Sequence, residues 1–172
     1  MGGRTELFPL PALREVADQT GRNPMASVYL SEVRDRIIVC PMTSPEKGLY
    51  VEAEATADRP FTSDSEVLGQ SVWEALLRFQ VSPQLGSHKK TDWPAFRASG
   101  AKSVRAFEYE FVRVAVEAFP CVLRVEATVP CNGADGLFVG RYISNACEFE
   151  ELGELIQQVS RCSIIVRDQE FA

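Results

Sequence analysis

The chain carries one histidine and five cysteines, and their placing limits what they could do. His88 sits beside Lys89 and Lys90 in a polar stretch. A histidine general base needs a nucleophile or a substrate proton within hydrogen-bond reach, and no Gly-x-Ser-x-Gly elbow exists to partner it. A lone histidine in such surroundings reads as a solvated side chain. The cysteines, Cys40, Cys121, Cys131, Cys147 and Cys162, are dispersed and contain no Cys-x-x-Cys pair. Zinc needs clustered ligands, and none of its usual spacings occurs. Cys40 and Cys121 read as core thiols rather than nucleophiles. Cys121 and Cys131 flank one strand-like run and its turn, so a bridge between them stays open.

Asp58, Asp64 and Glu66 could offer oxygen ligands around Pro60. The plainer reading is a helix start enriched in acids because the helix dipole favours them there. No Gly-x-x-x-x-Gly-Lys loop and no Gly-x-Gly-x-x-Gly turn exists to cradle phosphate. Neither a metal nor an organic cofactor is expected.

Carboxylates are the most abundant candidates: Glu52 with Glu54, Glu108 with Glu110, and the run Glu148, Glu150, Glu151 and Glu154. Residues two apart on a strand point to the same side, so each pair is expected to build a negative stripe. Three readings stay open. The stripes could be solvated strand faces, a catalytic carboxyl in an apolar pocket, or an acidic surface shaped to hold a basic protein.

The elements that would position these groups follow from periodicity. Leu10, Leu13 and Val16 recur at helical spacing and Gly21 closes that piece. Residues 27–30, 36–40 and 49–55 read as strands, with turns at Arg34-Asp35 and Pro45-Glu46-Lys47-Gly48. Ser63-Asp64-Ser65-Glu66 predicts a capping box with Ser63 as the cap. It opens a helix with Val67, Leu68, Val72, Leu76 and Phe79 on one face. Residues 80–102 are polar and turn-rich, with Pro83, Gly86, Pro94 and Gly100, and read as a long functional loop.

Phe107, Tyr109 and Phe111 alternate with Glu108 and Glu110, after which Val112, Val114 and Val116 alternate with the opposite parity. That slip means a bulge in one strand or a helix over 103–112. Cys121 to Ala127 and Leu137 to Ile143 are further strands, joined through the turn signal Asn132-Gly133-Ala134-Asp135-Gly136. Asn145 is expected to cap a last helix, with Glu148 in the reciprocal place and Leu152, Leu155, Ile156 and Val159 buried. Ser163 to Val166 reads as a terminal strand or the end of that helix. The sum is an α+β fold, a mostly antiparallel sheet of about six strands with helices packed against it.

At 172 residues the chain is expected to form a single domain over 1–172. Hydrophobic residues at 45% supply a core without disulfides. The 24 acidic and 18 basic side chains leave a net charge of -6. No basic run exceeds Lys89-Lys90, so neither nucleic acid nor a membrane is an expected partner. An acidic surface attracts basic partners and speeds their docking. Dispersed cysteines and an N-terminus without a signal pattern point to the cytoplasm.

One stretch is distinctive: Trp93-Pro94-Ala95-Phe96-Arg97-Ala98-Ser99-Gly100-Ala101-Lys102-Ser103-Val104. Trp93 and Phe96 could pin a loop to the core, with Pro94 setting the turn and Gly100 ending a short helical turn. Trp93 could also anchor a partner. With Phe107, the run Phe111-Val112-Arg113-Val114 and Glu150-Glu151-Leu152-Gly153, this stretch resembles bacterial immunity proteins of contact-dependent inhibition and polymorphic toxin systems. The likeness covers about the second half of the chain.

The resemblance implies a cytosolic, non-enzymatic protein that binds one cognate toxin domain, often a nuclease, and blocks its site. It transfers no catalytic residues and locates no binding face. The residues themselves nominate Glu52, Glu54, Glu108 and Glu110, with Trp93 as anchor. The alternative is a small enzyme or ligand-binding domain with a pocket between sheet and helices, near Asp64, Glu66 or His88. Oligomeric state is left open.

Overall fold

Met25–Ser31 (β1) is buried at every residue but the first, so this strand has cover on both of its faces. The computed structural model describes residues 10–45, 50–54, 57–82, 89–131 and 134–170. Within them β1 pairs antiparallel with Arg36–Pro45 (β2) on one side and Val112–Ala118 (β6) on the other. Val122–Cys131 (β7) and Ala134–Ser144 (β8) continue the sheet beyond β6. Val51–Glu52 (β3), Ala57–Arg59 (β4) and Gln80–Ser82 (β5) all pair with β2, β5 in parallel. The sheet order is β3-β2-β1-β6-β7-β8, with β8 at one edge. The fold is α+β, as the periodicity predicts.

Alternation sorts each strand between two faces. On one face Val28, Leu30, Ile37, Val39, Val114, Val116, Leu123 and Val125 point into the main core. That face is covered by Leu10–Thr20 (α1), Ser65–Leu77 (α2) and Phe149–Glu170 (α5). Leu68, Val72, Leu76, Leu152 and Ile156 are sealed there. Each such side chain stabilises the fold by about 1.5–3 kcal/mol on transfer from water. Among the described residues, the opposite face is covered only in part, by Pro94–Ser99 (α3) and Val104–Glu110 (α4) over β1 and β2.

Several sequence expectations shift by a few residues or change element. The cap of α2 is Asp64, whose side chain accepts from the Glu66 N–H at 3.3 Å, rather than Ser63. The buried face of α2 includes Trp73 and Ala75, while Val67 is 39% exposed. Of the expected strand over 49–55, the described residues 50–54 contain the two-residue β3. The expected long loop over 80–102 contains β5, a 3-10 turn at Lys90–Asp92 and α3. Within residues 103–112 the segment Val104–Glu110 is helix and Val112 opens β6, so the parity slip marks the junction of α4 and β6 at Phe111.

Asn145 does not cap α5. It is buried and donates from Nδ2 to the carbonyls of Phe119 and Pro120, at 3.3 and 2.9 Å, tying down the β6–β7 turn. The helix begins at Phe149, and Glu151 accepts from the Glu148 N–H at 2.9 Å. Ser163 to Val166 continue α5. Cys121 is a free, exposed thiol, so no Cys121–Cys131 bridge forms. The expectations on Pro83, Gly86, His88, Gly48 and the Asn132-Gly133 pair lie outside the described residues.

Candidate interaction surface

The distinctive stretch forms the short cover on the second face of the sheet. Trp93 precedes α3 in extended backbone, Pro94 occupies the first helical position, and Gly100 ends the helix at φ +67°. Proline has no N–H to lose at a helix start, and glycine adopts the left-handed backbone without a Cβ clash. Ala95 is fully buried against the sheet. Phe107 of α4 stacks 5.1 Å from both Tyr29 and Phe111, and Phe96 meets it edge-on at 5.8 Å. The stretch is a structural cover, with Trp93 half-buried at its rim.

Glu52 works beneath this cover. Its carboxylate accepts from the Tyr29 hydroxyl and, at 3.2 Å, from the Ala95 N–H, which ties α3 to β1 through β3. Burial raises the Glu52 pKa, while the hydrogen bonds from Tyr29 and Ala95 and the charge of Arg113 pull it down. Burial likewise pushes Tyr29 well above its ordinary value, opposed by Arg113 and reinforced by Glu52. Arg113 itself donates to Ser27 Oγ at 3.1 Å from the sheet floor.

The other three carboxylates each hold a cation of their own chain. Glu54 meets Arg97 of α3 at 3.2 Å. Glu108 pairs with Lys90, whose ammonium also stands 5.8 Å from the Trp93 ring centroid. Glu110 takes a two-pronged grip from Arg34 at 2.6 and 3.0 Å, which lowers its pKa. The predicted stripes do not form. Glu108 and Glu110 lie on a helix, where residues two apart point about 200° away from each other. Glu52 turns inward while Glu54 lies beyond the end of β3. The structure thus groups Trp93 with Glu108, and links Glu52 and Glu54 to α3 by separate contacts.

Beyond the cover, no described helix lies over the second face of β6, β7 and β8. Its floor carries Ala115, Glu126 and Gly140 in one cross-strand row, and Glu117, Arg124 and Tyr142 in the next. Thr128 and Phe138 pair in the row on the other side of Glu126. Phe138 is 62% exposed and Tyr142 67%, so both rings stand mostly in water. Glu117 is held by Arg124 at 2.6 Å and by Asn23 at 3.1 Å. These aromatics were legible in principle. In Phe138-Val139-Gly140-Arg141-Tyr142-Ile143, apolar residues fall on both parities, which marks a strand whose wet face is partly apolar.

A cavity of about 640 Å3 opens between α1 and the β6–β7 turn, lined by Leu13, Asp18, Asn23, Phe119 and Asn145 among others. Neither Asp64 nor Glu66 lines it. Asp58 is paired with Arg36 at 2.7 Å and Asp64 caps α2, so two of the three acids around Pro60 have structural partners. Among the described residues no group of three or more His, Cys, Asp or Glu side chains could hold a metal ion. No described helix is long and apolar enough to cross a membrane.

No family model matches the chain, and no curated protein does. Solved structures do share its fold. A protein of unknown function from Neisseria meningitidis superposes with a TM-score of 0.59 at 14% identity, over 83% of this chain and 96% of that one. A chain of the CdiA-CT/CdiI toxin and immunity complex from Yersinia pseudotuberculosis superposes with a TM-score of 0.55 at 12% identity, over 83% of this chain and 97% of that one. At these identities what is shared is the fold, and it extends well past the half of the chain that carries the sequence resemblance.

Proposed function

We propose that this chain is a cytoplasmic, single-domain immunity protein, not an enzyme, that binds a cognate toxin domain and neutralises it by occluding its active or substrate-binding site. The observation that carries this reading is the fold shared with a chain of a toxin and immunity complex along nearly the whole of that chain. The sequence resemblance of the Trp93 to Val104 stretch points the same way. The charge of -6 suits a basic partner. A nuclease toxin needs a cationic groove for its substrate's phosphates, and an acidic protein competes for that groove.

Glu54 and Glu108 are proposed contacts, with the rim of Trp93 as an anchor. Both carboxylates are exposed, and each is matched by one surface cation that a partner's arginine could replace. Glu52 and Glu110 act through the fold, by fixing α3 and by gripping Arg34. An immunity gene is expected directly downstream of a large secreted toxin gene, and the test is co-expression with that toxin's C-terminal domain. Growth rescue and co-purification are expected. Toxicity that persists in the presence of the folded chain would sink the reading. Reversing Glu54 and Glu108 together is expected to slow association and flatten its salt dependence.

A further inference from the structure

The open floor of the sheet carries a slot that the nominated carboxylates do not include. Phe138 and Tyr142 project from the same face of β8, about 13 Å apart along the strand. Gly140 lies between them with no side chain, so the surface dips there. The floor of the dip is Glu126, directly across β7 from Gly140. A Cβ on Gly140 would stand 3.4 Å from Glu126 Cγ, so the carboxylate stem runs beneath the gap. On its other flank Glu126 faces Ala115, which is too short to shield it.

We infer that this slot receives a lysine or arginine side chain of the toxin, its stem lying over Gly140 between the Phe138 and Tyr142 rings and its cationic head on Glu126. The inference rests on the immunity reading and adds a contact to those proposed at Glu54, Glu108 and Trp93. Charge decides the occupant. Glu126 forms no salt bridge with a described residue, whereas Glu117 on the same floor is already held by Arg124 and Asn23. The arginines nearby do not favour an anion. Arg124 is held by Glu117, Arg113 donates to Ser27 while its charge acts on the Glu52 carboxyl, and Arg141 pairs across from Val125 on the other face of β8. Two exposed aromatic faces also attract a cation through their ring quadrupoles. Solvent-shielded charge pairs ringed by aromatic side chains are where interfaces concentrate their affinity.

The test measures binding of the full chain to the C-terminal domain of the toxin identified by that co-expression, by titration calorimetry at 50 and 300 mM salt. Phe138→Ser and Tyr142→Ser are each expected to weaken binding about tenfold. Glu126→Gln is expected to weaken binding and to reduce its salt dependence. Gly140→Leu fills the slot without removing a contact, and is expected to weaken binding as much as either aromatic loss. Phe138, Gly140 and Tyr142 are exposed and Glu126 is half-buried on the same face, so unchanged circular dichroism and melting temperature provide the folding control. If the wild-type chain binds and all four folded variants bind within about twofold of it, the slot assignment is overturned and the immunity reading stands. If the wild-type chain does not bind, both are overturned.

Discussion

Gly153 makes room for the backbone of Ser65, since a Cβ there would stand 2.6 Å from the Ser65 carbonyl carbon. The contact is reciprocal: a Cβ on Gly69 would stand 2.7 Å from the carbonyl carbon of Phe149. The first turns of α2 and α5 therefore cross backbone to backbone, which side chains at these positions would forbid. That crossing sets how both helices lie on the sheet.

Gly153→Ala and Gly69→Ala are accordingly expected to destabilise. On an isolated helix the change to alanine would stabilise by about 1 kcal/mol. Here the new methyl meets main chain that cannot rotate aside, and overpacking of that kind costs about 3 kcal/mol. The clash wins, and the melting temperature is expected to fall by about 5 °C or more. A thermal melt showing no change or a gain would refute the close crossing.

Glu52 and Glu110 should contribute to pH dependence with opposite signs. Burial raises the Glu52 pKa in the fold, against the hydrogen bonds from Tyr29 and Ala95 and the charge of Arg113. Its contribution is fully present below the unfolded carboxyl value of about 4.3 and is lost as pH rises through the folded value. Arg34 lowers the Glu110 pKa, so that contribution is present above the unfolded value and lost as pH falls through the folded one. Relative to wild type, Glu52→Gln is expected to gain ground as pH rises from 4 to 8. Glu110→Gln is expected to gain ground as pH drops below 4. Urea unfolding across this range reads both differences, and the same sign for the two variants would contradict the assignment.

Thiol reactivity should divide by burial. Cys121 and Cys162 are exposed, whereas Cys40 and Cys147 are buried. Burial pushes the Cys147 thiol up to about 12, with Glu151 adding to the effect, and raises Cys40 further. The thiolate is the reactive form, so both buried thiols are protected twice over. Iodoacetamide is expected to label Cys121 and Cys162 in the native protein, and Cys40 and Cys147 only after denaturation. Peptide mapping by mass spectrometry distinguishes them.

The cap of α2 can be located by two substitutions. Asp64→Ala is expected to cost about 1 kcal/mol, because it leaves the Glu66 N–H without its acceptor. Ser63→Ala is expected to change little, since Ser63 enters the local turn through its backbone N–H to Pro60. Paired denaturation midpoints give the answer, and a larger loss at Ser63 would restore the original capping box.

Much of the fold was legible because local spacing carries it. The 3.6-residue recurrence of Leu152, Leu155, Ile156 and Val159 predicted the buried face of α5; Leu152, Ile156 and Val159 are sealed, and Leu155 is half-buried. Pro94 and Gly100 marked the two ends of α3 by their own backbone chemistry. The α4 segment was ambiguous because Phe107 and Phe111, four apart, fit both a helix face and one side of a strand. Ring contact with Tyr29 from a distant strand resolves it.

The candidate surface was less legible. A carboxylate's partners are set by chain crossings that no short window contains: Glu52 meets Tyr29, Glu54 meets Arg97, and Glu110 meets Arg34. Phe138 and Tyr142 could be placed on one strand side by parity, but parity does not say which side is covered.

By itself, the amino-acid sequence determined the α+β class, the helix and strand periods, the acidic charge and the turn chemistry of the Trp93 to Gly100 stretch. These are local or additive properties. Tertiary structure alone decided that α3 and α4 cover β1 and β2, that Glu52 turns inward beneath them, and that Glu126 lies half-buried beside Gly140. Those outcomes depend on strand order and helix crossing, which arise from contacts between residues far apart in the chain.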